Sequence, residues 1–569
     1  MTNLKWWQKA VFYQIYPRSF ADGNGDGIGD FPGIIERLDY LADLGIDALW
    51  LSPHFPSPQF DVGYDISDYE DVDPIYGTLD DFKRFLDGAH QRGIRVILDL
   101  VLNHTSHLHQ WFIESRSSRD HPRRDWYIWR DGNALRGGPP NNWVSPFGGS
   151  AWEYDSITDQ YYYHFFLREQ PDLNWRNPEV KNAMWDAVRF WLELGVDGYR
   201  LDAIGTIFEN PELPDQRSNF TEGEMRQLFK RGFPDRPDKK LIELWESIYK
   251  EQVERDGVHE LMQELRRVVD EYPDRVLVGE NHDIKYYGDG TNELHLAFNF
   301  PLMRTDRLTP DWIRANQTER LASLPPGAWP CNTLNNHDSS RVYNRYGNSQ
   351  HDDAIARTSL ALMLTLRGTP FLYNGEEIGM SDYYLDQIEL FRDPPAVWYY
   401  EARLADGISP AEALEIAGSY SRDRCRTPMQ WSQAANAGFS PEGVQTWLPV
   451  NPNYAQGVNV ADQQTDPDSM LNFYKRLLQV RKQSPALFQG DYQPLAETSN
   501  AYFAFLRRSP EQTCLVILNL SDQPHTLGFD FESQELRPLF SSHASHAETI
   551  STKVIEIAPY EIFIGELIS

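Results

Sequence analysis

The chain of 569 residues can bury a large core and is too long for one small domain. Its 84 acidic against 53 basic residues give a formal net charge of −31, which argues against nucleic acid or any other polyanionic partner. The 3 cysteines, Cys331, Cys425 and Cys514, make neither a disulfide framework nor a zinc pattern, residues 1–9 lack the apolar core of a signal peptide, and no run is apolar and long enough to span a bilayer. These features predict a cytoplasmic chain away from membranes, as a monomer or small homo-oligomer, and its 17 Trp and 29 Tyr suit a pocket for flat or sugar-like ligands.

In chain order, residues 11–16 predict a strand, 31–44 an amphipathic helix closed by Gly45, 48–51 a strand, 79–91 a helix closed by Gly93, and 96–101 a strand apolar on both faces. Strand and helix alternating with short joints is the pattern of a parallel sheet with crossover helices. The alternation stops over 104–175, which is rich in Trp, Tyr, Gly and Pro and is read as an inserted subdomain. It resumes with a helix at 177–194 closed by Gly195 and a strand at 198–202. Residues 204–257 read as an elaborated loop, followed by a helix at 258–271 and a strand at 276–279. Strands at 294–300, 332–334 and 370–373 and helices at 310–324, 352–366 and 469–483 complete the pattern, with an irregular loop over 375–466. Eight strands, each eventually followed by a helix, predict a (β/α)8 TIM barrel of the α/β class. Beyond residue 489, short β-forming runs predict a separate antiparallel β-sandwich. The expected division is barrel at 1–103, subdomain at 104–175, barrel again at 176–488 and the β domain at 489–569.

A barrel enzyme carries its chemistry at the C-terminal ends of its strands. Acids fall there: Asp202 after the fourth strand, Glu280 after the fifth and Asp338 after the seventh, with His104, Arg200 and His337 on the same rim. Arg200 and Asp202, two apart on a strand, project to one side, either as a structural ion pair or as a carboxylate kept ionised for chemistry. Three acids on one rim favour the second reading. Glycosidic cleavage needs one ionised carboxylate at the anomeric carbon and one protonated acid at the leaving oxygen. On this reading Arg200 keeps Asp202 charged, while Glu280, beside Gly279 and facing two other carboxylates, retains its proton.

The segments 99–104, 198–204, 278–281 and 335–338 resemble the four motif regions of glycoside hydrolase family 13, the α-amylase family. Gln170-Pro171-Asp172-Leu173-Asn174-Trp175 and Arg426-Thr427-Pro428-Met429-Gln430-Trp431 are similar to its α-glucosidase and oligo-1,6-glucosidase branch. The resemblance implies a retaining mechanism with Asp202 as nucleophile, Glu280 as acid/base and Asp338 as transition-state stabiliser. It implies that His104, Arg200 and His337 bind hydroxyls of the cleaved sugar, that Tyr64 stacks on it, and that Asp61 and Arg426 grip its 4-hydroxyl. Such a grip closes one end of the groove and implies attack from the non-reducing end of a small oligosaccharide. From the residues alone, Asp61-Val62-Gly63-Tyr64-Asp65 is equally a turn. Phe147, Phe166 and Phe300 are candidates for the leaving-group side, although core packing explains any one of them better. Ala203, small and next to the nucleophile, leaves room for a leaving sugar joined through its 4-oxygen and leans the substrate toward α-1,4 links.

The loop from Asp22 through Asn24, Asp26 and Ile28 to Asp30 offers oxygen donors at every second position, as a structural Ca2+ or Mg2+ site would, and no organic cofactor is expected. The other reading is a solvated Gly/Asp turn. His104, His107 and His109 raise a metal hydrolase, disfavoured because the sugar site explains His104. Two further readings are a trehalose-synthase-type isomerase of the same fold and a non-catalytic relative of the amino-acid-transporter heavy chains. The latter is disfavoured by the three retained acids and the missing membrane span.

Overall fold

A computed structural model describes residues 4–217, 239–495, 499–543 and 547–568. Eight parallel strands form the central sheet: β1 (Phe12–Ile15), β2 (Ala48–Leu51), β3 (Arg95–Val101), β7 (Gly198–Asp202), β8 (Val276–Gly279), β9 (Leu296–Ala297), β10 (Cys331–Thr333) and β11 (Thr369–Tyr373). Their order, β10-β11-β1-β2-β3-β7-β8-β9, is closed into a barrel by a parallel bridge between Phe298 and Cys331. Strands β4 (Trp129–Arg130), β5 (Trp152–Asp155) and β6 (Gln160–Tyr163) make the antiparallel sheet of the insertion after β3.

The period of two explains where the chemistry lies. Phe12, Trp50, Ile97, Val278 and Phe371 point inward and fill the lower barrel, while their neighbours Tyr13, Leu49, Leu51, Leu98 and Leu277 pack outward against the helices. One inward step further toward the C-terminal end, the side chains become polar: Gln14 on β1, Asp99 on β3. Arg200 on β7 lies level with Asp99, its register partner, and Asp202, paired with Val101, lies one inward step higher. A dry apolar floor therefore carries a polar rim. Gly198 opens β7 because a side chain there would meet the Val276 carbonyl at 2.0 Å.

The helix Pro178–Leu194 feeds this strand. Asn177 caps it by accepting from Glu179 N–H, Pro178 occupies the first turn, and Gly195 ends it at φ 109°. Its buried face, Val180, Met184, Val188, Trp191 and Leu192, covers the sheet. The expected single helix over 31–44 is instead two, Phe31–Glu36 and Leu38–Leu44, because Arg37 leaves helical geometry at φ −101°, ψ 2°. The stretch expected to be irregular after β11 holds the helices Pro394–Ala405 and Pro410–Tyr420, each begun at a proline. The loop expected over 204–257 contains the helix Lys239–Tyr249, and its positions 218–238 lie outside the described residues.

The C-terminal strands are β12 (Asp491–Leu495), β13 (Tyr502–Arg508), β14 (Thr513–Asn519), β15 (His525–Leu527), β16 (Glu535–Ser541), β17 (Ile550–Ser551), β18 (Ile555–Ile557) and β19 (Ile562–Leu567). A six-stranded antiparallel sheet faces the β15–β18 pair across a core of Leu515, Ile517, Leu527, Ile555, Ile557 and Phe563. Its other face, with Phe503, Phe505, Val516 and Ile564, joins the main core of the barrel. No helix among the described residues is long and apolar enough to cross a membrane.

Candidate active site

Arg200, fully buried at the end of β7, organises the site. Its Nη1 lies 2.7 Å from both Asp99 Oδ1 and Asp202 Oδ1, and its Nη2 lies 2.8 Å from Glu280 Oε2. Glu280 also accepts from Ala203 N–H at 2.9 Å. Glu280, expected beside Gly279 and facing two other carboxylates, thus also meets a guanidinium. Its backbone N–H bonds the Leu201 carbonyl across the β7–β8 seam, which brings its side chain to the same guanidinium that Asp202 uses.

One cation therefore faces three carboxyls. Burial pushes the Asp202 carboxyl well above its usual range; Arg200 pulls it down, and Glu280 and Asp99 push it further up. Burial likewise raises Asp99 to about 6, against the pull of Arg200. Burial thus outweighs the pull of Arg200 on Asp202, against the expectation that Arg200 keeps this carboxyl charged.

Asp338 behaves oppositely. Burial opposes its ionisation, while the guanidiniums of Arg426, Arg422 and Arg200 pull it below the usual carboxylate range. His337 beside it is kept neutral by its own burial, so the arginines carry that effect. Arg426 ion-pairs with Asp338 and donates from Nε to the His337 carbonyl at 2.8 Å.

The partner expected for Asp61 is corrected by this arrangement. Arg426 is occupied by Asp338, and Arg422 takes Asp61, with Nη2 3.1 Å from Asp61 Oδ1 and 2.6 Å from Asp393 Oδ1. The short 3-10 turn Arg422–Cys425 sets the two guanidiniums four residues apart on one side of the pocket. Gln170 Nε2 lies 3.0 Å from Asp61 Oδ2 and 2.9 Å from His104 Nε2, joining the insertion to the barrel rim. His104 is buried and its pKa is pushed down to about 3. The Tyr64 ring lies parallel to His337, centroids 5.6 Å apart, and its hydroxyl reaches Asp99 Oδ2 at 3.2 Å.

Phe166 lies 5.3 Å from the His104 ring and 5.3 Å from Phe147, and the Arg422 guanidinium lies 5.5 Å from Phe147. Both rings therefore flank the Asp61 end of the pocket, which corrects their expected place on the leaving-group side. Phe300 opens the helix Phe300–Met303 and stacks on Phe298, as a packing residue does. Ala203 adopts a left-handed backbone, φ 41°, ψ 42°, directly after Asp202.

Four residues at this rim went unassigned from sequence: Gln14, Asp99, Gln170 and Arg422. Asp99 and Gln170 stand inside quoted motifs, and an arginine four before Arg426 was the available signal for Arg422. Gln14 had none beyond its inward parity on β1.

In the Asp22–Asp30 loop the oxygen donors suit a hard cation, but the loop's own amides already engage them. Asp22 accepts from Gly25 and Gly27 N–H, Asp26 from Ile28 N–H, and Asp30 from Gly23, Asn24 and Gly33 N–H. Among the described residues no three His, Cys, Asp or Glu side chains converge as a metal-holding group. His107 turns to the Glu169 carbonyl and His109 caps the helix Gln110–Ser117, so neither joins His104.

Residues 14–490 match the family model of the alpha amylase catalytic domain, and residues 493–564 that of the maltogenic amylase C-terminal domain. An oligo-1,6-glucosidase of Parageobacillus thermoglucosidasius is 40% identical over 580 residues, covering 98% of each chain. A probable alpha-glucosidase of Rhizobium meliloti (strain 1021) is 40% identical over 557 residues, covering 96% of this chain and 95% of its own. Among solved structures, the trehalulose synthase MutB of Pseudomonas mesoacidophila MX-45 superposes with a TM-score of 0.87 at 36% identity, covering 99% of this chain and 100% of that one. With its buried carboxyls gathered on the rim of a closed parallel barrel, the chain belongs to the α-amylase family, glycoside hydrolase family 13.

Proposed function

We propose that this α-glucosidase-type glycoside hydrolase is a retaining, exo-acting enzyme that releases glucose from the non-reducing end of short α-glucosides, chiefly α-1,4-linked. The observation that carries the reading is the division of the rim. Arg422 and Asp61 form a buried ion pair on the rim, as a pair closing one end of a groove would, and Arg200 separately gathers Asp202 and Glu280. A blocked end admits one terminal sugar. Its 4-hydroxyl meets the ion pair, Tyr64 covers its face, and Asp202 attacks the anomeric carbon. Glu280 delivers a proton to the leaving oxygen and then activates water against the glucosyl-enzyme. Arg200 holds both acids at one point of the rim, 2.7 Å from Asp202 and 2.8 Å from Glu280, which fixes their separation across the scissile bond. Asp338, held ionised by its arginines, supplies charge to the oxocarbenium-like state.

The second reading is hydrolysis of 1,6 links or transfer to a sugar acceptor. It is supported by relatives named oligo-1,6-glucosidase and by the trehalulose synthase likeness. Chromatography of the products from maltose, isomaltose, sucrose and trehalose separates the readings. Glucose released fastest from maltose supports the first, a preference for isomaltose or a new disaccharide from sucrose supports the second, and no cleavage of any defeats both. Small oligosaccharides as substrates and a cytoplasmic setting without membrane or nucleic acid complete the proposal.

A further inference from the structure

Gln14 is 1% exposed and points from β1 into the polar rim, where its Nε2 lies 2.6 Å from His337 Nδ1 and 3.0 Å from Ser52 Oγ. Its Oε1 is buried with no hydrogen-bond partner among the described residues. Turning the amide over would give Oε1 the two contacts and strand both N–H donors instead, so the orphaned acceptor is the cheaper arrangement. On the far side of the imidazole, His337 Nε2 lies 2.6 Å from Tyr64 Oη and 3.2 Å from Asp338 Oδ2.

A neutral imidazole has one N–H to place. On Nδ1, that proton would face the Gln14 N–H2 donor, and the bare Nε2 lone pair would face the Asp338 carboxylate. On Nε2, every group has a complement: Gln14 donates to Nδ1, Nε2–H points to Tyr64 Oη and Asp338, and Tyr64 O–H donates to Asp99 Oδ2. The chain then ends on a carboxylate neutralised by Arg200. We infer that Gln14 is a positioning residue that holds His337 in its Nε2–H tautomer, so that the ring presents a donor beside Asp338 to the bound sugar.

Gln14 selects the tautomer from the Nδ1 side, and Asp338 favours the same choice from the Nε2 side. Tyr16 and Tyr64 lie parallel to the ring faces at 5.5 and 5.6 Å, and Trp50 meets it edge-on at 6.0 Å. Arg426 Nε and Cys425 Sγ bond the His337 carbonyl rather than the ring. Arg422 and Arg200 act on the ring through charge alone, disfavouring a second proton.

The inference rests on the glucosidase reading, which wild-type cleavage of p-nitrophenyl α-glucoside tests separately. The experiment compares kcat, KM and the pH profile of wild type, Gln14→Met and Gln14→Glu, with melting temperatures as a check on folding. Gln14→Met keeps the shape, removes the donor, and is expected to lower kcat about tenfold with KM changed less than threefold, the size of one lost hydrogen bond to a charged or reacting group. Gln14→Glu reverses the polarity. Its carboxylate accepts a proton from Nδ1, so the imidazolium still offers Nε2–H, and deprotonation strips Nε2 rather than Nδ1. In that variant the alkaline limb of kcat/KM gains a second proton loss and steepens between about pH 6 and 8, whereas wild type and Gln14→Met show the single loss from the general acid. A wild-type pH profile in Gln14→Glu overturns the inference. If Gln14→Glu does not fold, wild-type kcat in Gln14→Met overturns it, and the tenfold loss with unchanged melting temperature upholds it.

Discussion

Replacing Arg422 by Met tests which arginine closes the pocket. Asp61 is 5% exposed, and burial already raises its pKa against the pull of Arg422. Removing the guanidinium leaves a buried carboxylate with Gln170 as its remaining side-chain donor, at 3.0 Å. Breaking one side of a buried pair costs about 3–5 kcal/mol, of which part is relieved when Asp61 takes up a proton. For the sugar, each charge-assisted hydrogen bond to the 4-hydroxyl is worth about 1.5–3 kcal/mol. Two such bonds let the wild type prefer a glucoside over its 4-deoxy analogue by on the order of 10²–10⁴ in kcat/KM, and Arg422→Met should cut that ratio by about 10–100. The assay is kcat/KM for p-nitrophenyl α-glucoside and its 4-deoxy form in wild type, Arg422→Met, Asp61→Asn and the double variant. The double variant should lose little more than either single change, because the pair acts as a unit. If Arg422→Met keeps the wild-type ratio while Arg426→Met abolishes it, the assignment of the pair from geometry is wrong.

Glu280→Gln should abolish maltose cleavage yet spare p-nitrophenyl α-glucoside, whose leaving group needs little protonation; equal losses on both substrates remove Glu280 from the acid role. Ala203→Val should lower kcat/KM for maltose relative to isomaltose by about 1–3 kcal/mol of discrimination. A β-branched residue at the left-handed φ of 41° strains the loop for both substrates alike, so the ratio and not either rate is the measurement. If the proposed cation occupies the Asp22–Asp30 loop, chelation should lower the melting temperature and leave low-temperature activity intact. No metal in the protein and an unchanged melting temperature would leave the loop held by its own amides. Burial lowers His54, His104 and His109 to about 3, so the unfolded chain binds the extra protons. Their contribution is fully present above about pH 6.5 and lost on acidification, each by up to about 1.4 kcal/mol per pH unit. Denaturant titrations from pH 7 to 4 should show that fall, and a flat stability refutes it. His54, whose two ring nitrogens have no hydrogen-bond partner among the described residues and lie in a box of Phe31, Phe55, Phe82 and Trp191, is the residue whose replacement by Leu should flatten the slope most cheaply.

The barrel was legible in the chain because burial on both faces makes parallel strands read as apolar runs, and because Gly45, Gly93 and Gly195 close the helices between them. The acids were legible because Asp202, Glu280 and Asp338 stand at or just after expected strands, on the rim that carries a barrel's chemistry. Helices after β11 were missed since their proline starts and mixed faces give no apolar stripe.

What the order of residues could not supply is which charge meets which. Strand parity put Arg200 beside Asp202, two residues away, but the register of β7 against β8 decided that Glu280 shares the same guanidinium. Arg422 and Arg426 carry the same side chain on one short turn, and only their positions in space give Asp61 to Arg422 and set Arg426 on Asp338, which Arg422 also reaches at 3.4 Å. Gln14 looks like any strand glutamine until folding sets it 323 residues away in sequence against His337. Local periodicity is written along the chain and can be read there. Charge pairing and proton placement fall off over a few ångströms in space, and the chain closes those distances only when it folds.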